Sequence, residues 1–124
     1  IAVPNNDAFI SNSQNNILNL PPHHLLHWNE TSLKYIANKH NLKIVDVYKE
    51  KVTNVHKQWY YATSIQTKIK EFLGLEIKTI NIGWMNKIIN KISTLLLPVF
   101  RDSMSHSSTD GHTIAIVFQK VSDA

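Results

Sequence analysis

Apolar positions recur every three to four residues in three stretches of this chain, and in three others they alternate or run together. Ile1-Ala2-Val3-Pro4 reads as the last residues of a buried strand stopped by a proline. Asn5-Asn6-Asp7 has turn chemistry, and Ser11 through Asn16 is a polar run without periodicity, expected to be a mobile loop. From Asn29 the period becomes helical. Asn29 can cap, Glu30 suits the positive end of a helix, and Leu33, Ile36 and Ala37 share a face. The spacing predicts a helix from Glu30 to His40, with Asn41 in the left-handed position that ends it. Leu42 to Lys49 is rich in β-branched residues, and its Lys43, Asp46 and Lys49 predict an edge strand or one wet face.

Two helices follow in the pattern. Val55, Trp59, Ala62, Ile65, Ile69 and Phe72 form one stripe ending near Gly74, and Trp84, Ile88, Ile92, Leu95 and Val99 form another ending around Pro98. On the second helix Asn86, Lys87, Asn90, Lys91 and Thr94 take the other side. Core packing is the expected seat of its apolar stripe, with a partner or a membrane surface as the other possible seats. Arg101 to Asp110 is a Ser-rich polar loop. Gly111 to Lys120 is the clearest strand, apolar on both faces and therefore expected in the middle of its sheet.

The predicted fold class is α/β, with a small mixed sheet whose last strand is central and antiparallel. A capped helix and a helical insertion with a polar loop, residues 53–110, complete a single domain over 1–124. Three strands under so few helices make a thin two-layer arrangement. A chain that opens in mid-strand is expected to continue upstream.

Composition narrows the function classes. With 124 residues, 43% hydrophobic and 18% charged, the chain is sized and composed for one globular domain. A formal charge of +4 is too mild, and its basic residues too dispersed, for a dedicated nucleic-acid binder. Cysteine is absent, which excludes disulfide frameworks and thiolate metal sites and leaves a cytoplasmic location as the default expectation. No apolar run approaches the ~20 residues that span a bilayer, so a soluble protein is expected.

Candidate chemistry concentrates in Pro21-Pro22-His23-His24-Leu25-Leu26-His27-Trp28-Asn29-Glu30. Two prolines fix the backbone, so the histidines after them are expected to follow a preset extended course just before a helix. His23, His24 and His27 with Glu30 could be read as metal ligands. The prolines oppose the helical turn that would align them, and no metal site is expected beyond an adventitious one. No Gly-x-Ser-x-Gly elbow is present, which excludes the common serine-hydrolase arrangement. His112 reads as a satisfied strand histidine and His106 as a solvated one.

Val3-Pro4-Asn5, Leu20-Pro21-Pro22-His23-His24, Trp28 to Leu33, Asn41-Leu42-Lys43-Ile44 and Gly111-His112-Thr113-Ile114-Ala115 together resemble the C-terminal half of class I S-adenosylmethionine-dependent methyltransferases. The likeness covers most of the chain outside the helical insertion. It implies a partial Rossmann-like fold in which these strands are the fifth, sixth and seventh of the sheet, the seventh running antiparallel between the other two. It implies S-adenosylmethionine as cofactor of the complete enzyme and a small-molecule methyl acceptor. The Gly-rich loop and the acidic ribose-binding residue of that family have no counterpart here, so this chain alone is expected to be inactive and to bind no cofactor. A histidine in a rigid loop suits removal of the acceptor's proton, and His24, closer to the helix, is preferred to His23. The competing view is that both histidines bond backbone carbonyls and shape the loop. Trp28, Pro22 and Asn5 are the expected acceptor-binding residues, with Trp28 also able to act as a staple on the core. A homo-oligomer is expected because half a fold exposes apolar surface. The alternative function is a non-catalytic oligomerisation or partner-binding module built on the Trp84 to Val99 helix.

Overall fold

A computed structural model describes residues 1–101 and 110–121. Most of the expected Ser-rich loop, with His106, lies outside the described residues. The elements are β1 (Ala2–Pro4), α1 (Glu30–Lys39), β2 (Leu42–Lys51), α2 (Asn54–Phe72), α3 (Trp84–Arg101) and β3 (Asp110–Lys120), with two short 3-10 turns at Phe9–Asn12 and Ile17–Asn19.

Local chemistry sets the first helix. The Asn29 side chain accepts from the Ser32 amide at 2.8 Å while the Ser32 hydroxyl accepts from the Asn29 amide at 2.9 Å, a reciprocal capping box. Glu30 in the first turn binds Lys34 at 2.6 Å and Lys49 of β2 at 2.8 Å, which ties α1 to the sheet. Asn41 ends the helix at φ 50°, as its sequence position predicts.

The strands form one sheet in the order β1-β3-β2, both pairings antiparallel. The last strand is central and antiparallel to both neighbours, as predicted, so the small sheet, called mixed from the sequence, has antiparallel pairs at both contacts. Leu33 of α1 packs on Ile114 and Ile116 of β3 to make the core, joined by Val3, Trp28, Ile44, Val47 and Phe118. The other face of the sheet is not buried in the same way. Tyr48 and Val117 are 61% and 53% exposed, so this face of the sheet is partly open, as the thin two-layer arrangement predicts. Ile1 and Ala2 are exposed too, since β1 is an edge strand here and not a buried one.

The insertion is a helical hairpin. α2 packs on α3 and on the first 3-10 turn, and it ends where Gly74 takes φ 65°. α3 runs on through Pro98, past the end expected from the sequence. The polar run before α1 is organised rather than loose: Ser13 is buried, and Asn15 and Asn81 exchange hydrogen bonds at 2.9 and 3.0 Å.

Candidate functional site

Because β3 runs opposite to both neighbours, β1 and β2 point the same way and their carboxyl ends lie at one rim, beside the start of β3. At this rim the Asn5 amide donates to the His112 carbonyl at 2.8 Å and the Asn6 amide to the Trp28 carbonyl at 2.7 Å. The end of β1 is therefore held between β3 on one side and the residue that precedes the α1 cap on the other.

The residues singled out from the sequence divide at this rim. Asn5 is buried, and its side-chain oxygen accepts from the Asp7 amide at 3.2 Å, so it shapes the turn after β1. Trp28 is half-buried against the core, which is the staple role. Pro22 is exposed, and the Pro21-Pro22 peptide is cis. The His24 amide donates to the Leu20 carbonyl at 3.2 Å, so the prolines lie in a closed turn and not on the extended course expected from them. His23 is exposed, His24 half-exposed, and His27 bonds the Asn19 carbonyl through Nε2 at 3.2 Å. That last contact is the loop-shaping role, realised by His27. Among the described residues no three His, Asp or Glu side chains converge on a common point as metal ligands would.

A second group of side chains gathers at the same rim from four elements. Nδ1 of His112 lies 3.7 Å from a Glu50 carboxylate oxygen, too far for a hydrogen bond but close enough for an ion pair when the ring is protonated. The His112 ring meets His56 edge to face at 4.5 Å between centroids and lies 5.7 Å from Trp59. Trp59 in turn meets Phe9 at 4.7 Å and donates from Nε1 to the Ser13 hydroxyl at 2.8 Å. Burial holds the His112 pKa below its ordinary value; Glu50 opposes that effect and His56 adds to it. The ring is thus neutral at neutral pH, the form that accepts a proton.

In the sequence His112 reads as a strand residue, and nothing local connects it to Glu50 or His56. The i, i+3, i+4 spacing of His56, Trp59 and Tyr60 signalled one helix face. Its meeting with His112 depends on the β2-β3 register, which pairs Lys51 with Asp110.

A separate cleft of about 250 Å³ lies between the C-terminal end of α2, the 73–83 connection and α3, lined by Lys70, Leu75, Met85, Asn86 and Ile89 among others. Fourteen residues of helix separate Lys70 from His56, about 21 Å at the helical rise, so the cleft is distinct from the rim. Among the described residues no helix is long and apolar enough to cross a membrane. No family model, curated protein or solved structure matches this chain.

Proposed function

We propose that this chain is the acceptor-side, C-terminal part of an S-adenosylmethionine-dependent methyltransferase with a Rossmann-like sheet. The observation that carries the reading is the strand order β1-β3-β2, with β3 reversed between two strands that run the same way. The sequence resemblance implies that arrangement for the last three strands of the family. The capped α1 between β1 and β2, with the Pro21 to His27 loop leading into it, supports the same reading.

The described residues do not fit the cofactor. Gly111 serves the close approach of β3 to the β2 backbone, Gly74 ends α2, and Gly83 precedes α3. None stands in a tight turn from a strand into a helix, where a phosphate- or ribose-holding loop would need it. Cofactor binding is therefore assigned to sequence outside this chain, and the part played here is handling of the acceptor. His24, half-exposed on the loop that leads into α1, takes the acceptor's proton where one must leave; His23 beside it is exposed. The exposed Pro22 and the half-buried Trp28 would face a small acceptor, and the buried Asn5 holds the turn after β1 beside them.

The test is expression of the gene's complete reading frame beside residues 1–124. The complete product should bind S-adenosylmethionine with saturable heat at micromolar concentration, and residues 1–124 should not. His24→Ala in the complete protein should lower turnover by roughly ten- to ten-thousand-fold. A loss in His112→Gln instead would move the base to the His112–Glu50 pair. A complete product with no affinity for the cofactor would overturn the reading.

A further inference from the structure

Helix α3 packs on α2 through a face of mixed character, while Lys87, Asn90, Lys91 and Thr94 stay exposed. Asn86 and Ser93 are buried beside Ile89 on the face toward α2, where Asn86 accepts from Lys70 at 2.8 Å and the Ser93 hydroxyl accepts from Gln66 at 3.2 Å. The stripe that was expected to pack on the core faces outward. Trp84, Leu95 and Val99 are 68%, 78% and 72% exposed, and Ile88 and Ile92 are exposed between them. At 100° per residue these five positions fall within roughly 80° of arc, with Lys91 and Lys87 along one side. Ile80 and Ile82, just before the helix, are exposed as well. An amphipathic helix normally buries its apolar stripe, and contiguous exposed apolar surface on a folded chain marks something that docks there.

The charge pattern identifies the occupant. From Ile77 to Arg101 the chain contains no Asp or Glu, while Lys78, Lys87, Lys91 and Arg101 contribute four cations. A second copy of this chain would bring the same cations against themselves across a two-fold contact. An anionic bilayer meets both halves of the pattern at once: acyl chains take the apolar stripe, and phosphate headgroups take the lysines beside it. We infer that α3 is a membrane-surface helix that seats this chain on an anionic lipid bilayer, with Trp84, Ile88, Ile92, Leu95 and Val99 dipping into the boundary between headgroups and acyl chains. The helix lies along the surface, about 27 Å of it, and does not cross. The inference is read from the exposure and charge of α3 and does not rest on any methyl transfer.

The experiment is flotation of residues 1–124 with two kinds of vesicle, phosphatidylcholine alone and phosphatidylcholine mixed equally with phosphatidylglycerol. The chain should float with the mixed vesicles and much less with phosphatidylcholine, and added salt should release it. Leu95→Asp and Ile88→Asp should each weaken binding by about tenfold or more, and Lys87→Glu by about fivefold or more. These side chains are exposed, so circular dichroism of the variants should match the wild type. Lys43→Glu, on β2, serves as the control for a general charge effect and should change binding little. Failure to float with the mixed vesicles, or equal flotation of wild type and Leu95→Asp, would overturn the inference. So would light scattering that shows a lipid-free dimer that Leu95→Asp turns into a monomer, since the stripe would then belong to a second copy.

Discussion

The Lys70 ammonium donates to the Asn86 side-chain oxygen at 2.8 Å across the contact between α2 and α3, and also to the Gln14 side-chain oxygen. A cation only 3% exposed is thus held by two neutral side-chain amides, Asn86 on α3 and Gln14 just after the first 3-10 turn. Among the described residues no carboxylate pairs with it. Burying a charge without a counter-charge is costly, and here the hydrogen bonds carry the compensation.

Lys70→Met should therefore destabilise the fold by about 1–3 kcal/mol near neutral pH, because it leaves two amide oxygens without their donor. Burial lowers the Lys70 pKa from its ordinary 10.5. The folded chain sheds this proton before the unfolded chain does, so Lys70 makes stability rise with pH from its folded pKa up to 10.5. The difference between wild type and Lys70→Met should widen across that window in urea denaturation at about pH 7 and about pH 10. An unchanged difference would show that the ammonium is not desolvated.

At the rim, nuclear magnetic resonance titration of the His112 ring should give a pKa below 6.5. Glu50→Gln should lower it further by removing the charge that favours the imidazolium, and His56→Phe should raise it while keeping a ring in place. The sign carries over to stability: the unfolded chain takes up this proton first, so acidification from 6.5 down to the folded value weakens the fold. A His112 titration above 6.5 would contradict the burial seen here.

Gly111→Ala tests the strand crossing that builds the rim. A methyl group there would lie 3.0 Å from the Glu50 carbonyl oxygen and 3.2 Å from the carbonyl carbon and oxygen of Lys51, all backbone of β2. The strands would have to part, at a cost of about 1–3 kcal/mol. Gly83→Ala is the comparison, since its nearest neighbour, at 3.2 Å, is the Asn81 side-chain oxygen. It should cost clearly less in thermal denaturation, and equal losses would mean that backbone contact at Gly111 is not the cause.

Much of this molecule is determined locally, and those parts are legible without a structure. Asn29 and Ser32 cap α1 because their side chains reach amides three residues away, and Asn41 ends it because asparagine tolerates a left-handed backbone. The central place of β3 follows from its unbroken apolar run. What the periodicity could not decide is which side of a helix turns inward. In α3 the apolar stripe and the polar side are both visible in the sequence, yet Lys87, Asn90, Lys91 and Thr94 stay exposed and the packed side is a third one, with Asn86, Ile89 and Ser93. Its partners, Lys70 and Gln66, lie on α2 sixteen and twenty-seven residues away. The same limit hid the rim cluster, for Glu50 and His112 are brought together by the register of β2 on β3, and His56 reaches them from the first turn of α2. Capping and turn chemistry act over a few residues and are written in the sequence itself. Burial, ion pairing and the environment of a histidine depend on contacts between segments far apart in the chain, and only the tertiary structure decides those.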